Sequence, residues 1–385
     1  MPAEALASAA GTATMEITVS KFELLRELTA TQGVVERKTT IPILSNYLFE
    51  AAGDKLSLTA TDLDLSLRTA CSAKVKKEGS CTIPARKLHD YVKLLPDADI
   101  TIKLLENHWV SIRCGRSNTK MVGMARSNFP SLPAFPTAGV MKIPAQVLRS
   151  MIAKTGFAIA NEESRYTLNG ALMVLKPESI TMVATDGHRL SHIERSGEKF
   201  DGISGEMKTL IPKKAMDELK SLLDGTDTET IDFAKDESTL YFRIGPRLLT
   251  SRQLTGQFPN YEAVLPKDNS KSITVNGEEL SAAISRVAQF ADERSRAVRI
   301  KLEKGVLKLS ASSTETGESE DSLETNYNGD PLTIGFNAQY VLDFLKAVGT
   351  GEVKLELKDA QSAGQLRPAN GEDYKYRYIV MPMRI

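Results

Sequence analysis

The stretch "CTIPARKLHDYVKLL" (residues 81–95) passes from strand to helix within a few residues. Cys81, Thr82 and Ile83 are followed by Pro84, which has no N–H to lose where a helix begins. Apolar residues then recur at helical spacing through Leu88, Val92 and Leu95. The pattern returns as "TLIPKKAMDELKSLL" (209–223) and "LTIGFNAQYVLDFLK" (332–346). The anchors Ile83, Ile211 and Ile334 stand 128 and 123 residues apart.

Other segments repeat in the same order. A second strand-to-helix series is "EITVSKFELLREL", "VMKIPAQVLRSMI" and "SITVNGEELSAAI", with Val19, Ile143 and Val275 spaced by 124 and 132. The strand pair "LSLTATDLDLSL" is matched by "ITMVATDGHRLSHI" and loosely by "LKLSASSTETGESE". "VSIRCGRSNTKMVGMARSNFPSLP" recurs as "LYFRIGPRLLTSRQLTGQFPNYEAVLP". Four anchor types in one order at one period indicate three copies of a unit. Each copy reads β–α, several strands, then β–α, an α+β architecture. The expected divisions are an extension at 1–14 and domains at 15–136, 137–266 and 267–385. "FPSLPAFPTAG" (129–139) and "LPKDNSK" (265–271) read as linkers. A repeated junction between copies is head to tail, so it closes into a ring or runs on as a filament.

The chain has 385 residues with 49 basic and 49 acidic side chains, so net charge neither favours nor excludes a nucleic-acid partner. The three cysteines (Cys71, Cys81, Cys114) show no CxxC spacing. That excludes a disulfide framework or zinc knuckle and fits a reducing, cytoplasmic setting. No run is long and apolar enough for a membrane span. Met1 to Thr14 lack the basic and apolar regions of a signal peptide and are expected to be disordered.

Charge placement says more than net charge. Arg86 and Lys87 open one helix, and Lys213 and Lys214 open its repeat. Positive charge in a first turn opposes the helix dipole unless an anion is near. "TDGHR" (185–189) offers Asp186 and His188, with His192 close by. Asp-Gly between alternating residues signals a hairpin turn. The first copy has "TATDLD" there, without histidine, so neither catalysis nor a metal site is expected. No Walker A loop, GxSxG or HExxH motif occurs. "TETGESED" (314–321) lacks EF-hand spacing and reads as a solvated acidic loop.

With these segments in view, the chain resembles the bacterial sliding clamps, the β subunit of DNA polymerase III. The resemblance is carried by "TTIPILSNYLFE", "LTATDLDLSL", "IPARKLHDYVKLLP", "RYTLNGALM", "VATDGHRLS", "FPNYEAVLPK", "IGFNAQYVLDFL" and "YIVMPMRI". It runs in order from Met15 to Ile385. It implies a DNA clamp fold with three domains per chain and a head-to-tail homodimeric ring, its helices lining a channel around duplex DNA. It also implies a non-catalytic processivity factor with no cofactor. The implied partners are the replicative polymerase subunit, an ATP-dependent clamp loader and other proteins carrying a clamp-binding motif.

The resemblance implies sites residue by residue. DNA contacts fall on Lys38, Arg86, Tyr166 and Thr167, and the basic pair Lys213 and Lys214 joins them from its repeat position. Glu162 is withheld, since a carboxylate there repels phosphate. A partner-peptide groove takes Leu168, Thr185, Gly187, His188, Arg189, Leu190, Pro259, Val264, Asn337 and Tyr340. Its last wall is Ile379, Met381, Pro382, Met383 and Arg384. Unbranched methionine suits a groove that accepts several related peptides, and Pro382 predicts that the strip leaves its sheet there. Ala263 and Ser295 stand where some relatives carry arginine and phenylalanine at the groove edge. The dimer contact is expected at Thr119, Met121 and Phe290. A non-ring scaffold of the same domains is the competing reading.

Overall fold

The computed structural model describes residues 15–36, 39–162, 166–197, 199–371 and 373–384. The expected extension Met1–Thr14 and the expected DNA contact Lys38 lie outside them.

The elements follow one order three times, with one extra short strand in the first series. The first series is β1 (Glu16–Ser20), α1 (Lys21–Thr31), β2 (Asn46–Ala52), β3 (Lys55–Thr61), β4 (Leu65–Ser72), β5 (Lys74–Lys77), β6 (Gly79–Pro84), α2 (Ala85–Leu94), β7 (Asp99–Leu104), β8 (Trp109–Cys114) and β9 (Ser117–Val122). The second is β10 (Met141–Pro144), α3 (Ala145–Thr155), β11 (Gly170–Lys176), β12 (Ser179–Thr185), β13 (Arg189–Ser196), β14 (Met207–Pro212), α4 (Lys213–Asp224), β15 (Thr230–Lys235), β16 (Thr239–Ile244) and β17 (Arg247–Arg252). The third is β18 (Lys271–Asn276), α5 (Gly277–Val287), β19 (Ala297–Glu303), β20 (Val306–Ser313), β21 (Gly317–Glu324), β22 (Leu332–Asn337), α6 (Ala338–Val348), β23 (Glu352–Leu357), β24 (Gly364–Pro368) and β25 (Lys375–Val380).

Local chemistry explains the strand-to-helix switches. Pro84 and Pro144 stand at the N-caps of α2 and α3. Asn276 caps α5, its Oδ1 accepting from Glu278 and Glu279 N–H at 3.0 Å. Asn337 caps α6 by accepting from Gln339 N–H at 2.9 Å. Such caps satisfy N–H groups that lack an intrahelical partner. Val19, Ile143 and Val275 occupy equivalent penultimate strand positions. The Ile83/Ile211 series needs one correction, because α6 starts two residues later than the Ile334 anchor implies. Phe336 holds that place, and Ile334 lies two residues back on the same strand face.

The described residues form two compact units, one within 15–140 and Ser221–Arg252, the other within Met141–Lys220 and 253–384. In the first, one sheet runs β5-β1-β7-β8-β9, and a larger one contains β15-β16-β17-β4-β3-β2-β6. In the second, an eight-stranded sheet runs β14-β11-β12-β13-β25-β24-β23-β18 beside a four-stranded sheet, β21-β20-β19-β22. One device builds both large sheets: the last strand of a copy extends the sheet of the copy before it. β17 pairs antiparallel with β4, from Leu248↔Arg68 to Ser251↔Leu65. β25 pairs with β13, from Arg189↔Val380 to Glu194↔Lys375. This explains why the second copy contributes to both units.

Helices cover one face of these sheets. In the first unit α1 packs on β3 and β4, burying Leu24 and Leu28 against Leu58 and Leu67. In the second α3 packs on β12 and β13, where Leu148 and Ile152 are buried with Met182. Each fully buried Leu or Ile side chain contributes roughly 1.5–3 kcal/mol relative to exposure. Glu27 of α1 is fully buried, with Arg247 of β17 placing Nε 3.0 Å and Nη2 3.1 Å from its oxygens. Thr69 Oγ1 and Arg26 Nε also donate to it. Burial pushes the Glu27 carboxyl up, but the donors from Arg247, Thr69 and Arg26 outweigh it and hold the group below its ordinary range.

The acidic stretch departs from expectation. Gly317 to Asp321 lie in β21, and only Thr314 to Thr316 form the turn. Asp321 accepts from Arg286 Nε of α5 at 2.7 Å. An edge strand with a solvated face tolerates charges that lower strand propensity. All three cysteines are free and buried, and burial pushes the Cys71 and Cys81 thiols up to about 12.

Candidate partner-binding site

The TDGHR hairpin organises one end of the site. β12 and β13 are joined by a tight turn with Gly187 at φ 91°, a conformation that favours glycine. Asp186 Oδ1 accepts from His188 N–H at 2.9 Å and Arg189 N–H at 3.1 Å. The Thr185 hydroxyl donates to Arg189 O at 2.6 Å and accepts from Gly187 N–H. These carboxylate and hydroxyl groups therefore shape a turn.

Beyond the turn, β13 alternates. Leu190 and His192 face the side of the sheet opposite α3. Arg189 and Ser191 face the helices, where Ser191 Oγ donates to Lys154 O. The outward side carries a buried apolar cluster of Leu172, Val174, Val183, Leu190, Leu210, Phe258 and Ile379. Leu168, Leu254, Tyr261, Leu265 and Ala363 pack against it while only partly buried. Val264 and Met381 are each 43% exposed, so the apolar surface continues to solvent at the rim. Pro259 is exposed beside buried Phe258.

The terminal strip stitches this floor to a second group of residues. β25 ends at Val380, and the strip leaves the sheet as Pro382 led us to expect. Met381 N–H donates to His188 O at 2.9 Å, and Met383 N–H donates to Gly335 O of β22 at 2.8 Å. Pro382 and Met383 are half-buried, and Arg384 is exposed. Asn337, the last residue of β22, is occupied in capping α6, and Tyr340 stands in the first turn of that helix. The Tyr340 ring lies 4.4 Å from the Arg189 guanidinium. That guanidinium also pairs with Asp186 at 3.0 Å and Asp343 at 2.6 Å and donates to Phe157 O at 2.7 Å. Arg189 is thus held on the helix side as a structural hub.

Of the expected groove residues, Leu168, Leu190 and Ile379 come together in the floor, with Val264, Pro259 and Met381 at or beside its rim. Thr185, Gly187 and His188 form the adjoining turn. Arg189 and Tyr340 form a separate cluster, and Asn337 ends β22, the strand to which Met383 is tied. Sequence reasoning passed over Leu172, Val174, Val183, Leu210, Phe258, Tyr261 and Leu265. Strand β11 reads "GALMVLK", apolar on both faces, so its period of two does not say which residues face the site.

The other expected residues are dispersed. Arg86 is exposed in the first turn of α2, and Lys214 is exposed on α4. Lys213 Nζ lies 2.9 Å from Asp217 Oδ2 one turn on, which compensates its charge in the first turn. Tyr166 is 74% exposed, with Thr167 half-buried beside it. Thr119 and Met121 share one face of β9, the edge strand of its sheet. Thr119 and Phe290 are half-buried, and Met121 is buried. Among the described residues no group of three or more His, Cys, Asp or Glu could hold a metal ion, and no helix is long and apolar enough to cross a membrane.

Comparison with known proteins adds the family context. Three models of the DNA polymerase III beta subunit match in succession: the N-terminal domain over 15–133, the central domain over 142–260 and the C-terminal domain over 262–384. The beta sliding clamps of Pseudomonas aeruginosa and Caulobacter vibrioides are 35% and 34% identical, over 96% of this chain and 100% of theirs. A crystal structure of the C. crescentus clamp with bound polyethylene glycol gives a TM-score of 0.90 at 33% identity, covering 97% of this chain and 100% of that one. The P. aeruginosa clamp bound to griselimycin gives 0.89 at 34% identity, covering 96% and 100%.

Proposed function

The chain belongs to the DNA polymerase III β-subunit family, the bacterial sliding clamps, and from that premise we propose how it works. It is a processivity factor of the replicative polymerase, a non-catalytic subunit. Two copies close head to tail into a ring around duplex DNA in the cytoplasm. The contact is made by β9 with Thr119 and Met121, and by the surface around Phe290. The domains are 15–136, 137–266 and 267–385. A clamp loader opens the ring, and DNA is met through Arg86, Tyr166, Thr167, Lys213, Lys214 and Lys38. A few cations give a salt-sensitive attraction without base readout. Sliding needs no more than that, because the ring holds the DNA by enclosing it.

The tether is the apolar floor of the second unit with its methionine-bearing rim. The observation that supports it most is a buried floor at Leu190 and Ile379 leading out to exposed Val264 and Met381. A peptide with an apolar anchor covers that surface and gains about 25 cal/mol per Å² removed from water. Deleting Met381–Ile385 is expected to abolish binding of a polymerase-derived peptide, measured by fluorescence anisotropy, while the dimer persists. Unchanged peptide binding overturns the groove assignment. Light scattering that finds only a 42.1 kDa monomer at micromolar concentration overturns the ring.

A further inference from the structure

The apolar floor ends abruptly. One register step beyond the cross-strand pair Leu190↔Ile379 on the same face comes His192↔Arg377, and then Glu194↔Lys375. Directly opposed residues on antiparallel strands hold their Cβ atoms about 4.5–5.5 Å apart. His192 is 7% exposed, and its Nδ1 has no hydrogen-bond partner. A buried polar atom left unpaired costs roughly 1–3 kcal/mol. Across from it, Val183 of β12 belongs to the apolar floor. Above it lies the Tyr261 ring at 5.6 Å between centroids, carried on a short 3-10 turn rather than on the sheet.

Arg377 is half-buried and makes no ion pair among the described residues, although the charge of Glu356 acts on it. Its Nε donates to Gln365 Oε1 at 2.6 Å and its Nη2 to Pro266 O at 2.8 Å, both neutral acceptors. Among the described residues no carboxylate lies within ion-pair distance of it. Its neighbour Arg367 has already taken Glu356. Two cation-capable side chains therefore stand side by side at the end of an apolar floor, and neither makes an ion pair among the described residues.

Resting on the groove reading above, we propose that His192 and Arg377 form an anion-accepting shelf that takes a carboxylate of a partner peptide next to its apolar anchor. Tyr261 swings aside on its turn to admit it. The carboxylate meets the Arg377 guanidinium and the His192 ring nitrogen, and His192 takes up a proton from solvent as it does so. The charged groups around His192 are Glu194 on its own strand, Arg377 and Lys375 on β25, and Tyr261 and Glu262 on the covering turn. Burial holds the free imidazole below its ordinary range, with Glu194 and Glu262 opposing that shift and Arg377 adding to it. The free site is thus neutral at His192 near neutral pH. A ligand that raises the histidine pKa binds more tightly as pH falls.

The test uses two amidated peptides, Glu-Leu-Phe-Glu and Gln-Leu-Phe-Gln, titrated by calorimetry against the full chain at pH 6 and pH 8. The acidic peptide is expected to bind about fivefold more tightly than its amide counterpart at pH 6, with a smaller preference at pH 8. A one-unit pKa rise on binding corresponds to about tenfold in affinity between the two protonation states. His192→Val is expected to remove the pH dependence and keep part of the preference, and Arg377→Gln to remove most of the preference at both pH values. Thermal midpoints of both variants report whether they fold. Equal binding of the two peptides at both pH values overturns the shelf and leaves the groove standing. A preference unchanged in both folded variants also overturns it. Absence of binding by either peptide overturns the groove and the shelf together.

Discussion

The two large sheets carry the same splice with opposite chemistry on its two faces. On the outward face, Leu168, Leu172 and Phe258 of the second unit correspond to Leu44, Leu48 and Phe129 of the first, and both trios are apolar. The rest of the floor differs. Val174, Val183, Leu190, Leu210 and Ile379 stand where the first sheet has Glu50, Thr59, Ser66, Thr82 and Thr250. Thr82 Oγ1 donates to Met124 O at 2.9 Å and accepts from Met124 N–H at 2.7 Å, fastening the covering loop. At the equivalent place Leu210 offers only its backbone oxygen to Leu254 N–H, at 3.1 Å. On the helix face the polarity reverses. The first splice buries Glu27, Thr69 and Arg247, where the second buries Met151, Ile193 and Tyr376. The repeat supplies a frame, and a handful of side chains decides whether an outward face is fastened shut or left able to receive a partner.

The largest expected effect breaks the helix-face half of this contrast. Arg247→Ala leaves Glu27 buried without its main partner and is expected to destabilise the first unit by about 3–5 kcal/mol in denaturant unfolding. The sign with pH follows from a depressed folded-state carboxyl. Stability from Glu27 is present above its unfolded value, about 4.3, and is lost as pH falls through the folded one. The variant should show a flatter acid limb, and an unchanged limb counts against the pair. Next comes the outward face. Leu190→Ser with Ile379→Thr gives the groove the residues of its first-sheet copy. Peptide affinity should fall more than about 30-fold, since each hydroxyl set against the peptide's apolar anchor loses its water at a cost of roughly 1–3 kcal/mol. A loss under threefold in a folded variant dissolves the contrast. The smallest effect sharpens it. Leu63 holds φ 83° in the turn where the second sheet has Gly187 at φ 91°. Leu63→Gly relieves that strain and is expected to stabilise by about 0.5–1 kcal/mol in thermal unfolding.

Much of this is legible in the sequence. The repeats, the strand-to-helix switches and the Asp-Gly turn follow from local periodicity and turn chemistry, which act over a few residues. The exit of the terminal strip after Val380 followed from a proline that cannot donate. The floor was legible only in part. Leu190 and Ile379 sit in recognisable motifs, whereas Leu172 and Val174 belong to a run apolar on both faces. Glu27 and Arg247 carry no signal at all, being 220 residues apart and joined only by the splice. His192 read only as a neighbour of the turn, and its pairing with Arg377 escaped notice for the same reason: only strand register sets them side by side. The β21 hairpin arm was missed because its charges hide a solvated edge.

The burial of every native thiol has a practical consequence. Thiol-directed dyes react through the thiolate. Cys71 and Cys81 hold almost none near neutral pH, and Cys114 is 1% exposed. The natural chain is therefore a quiet background for attaching a reporter. A single cysteine placed at exposed Val264 or Leu63 would carry the only label, letting fluorescence follow the receptive face and its fastened copy one at a time.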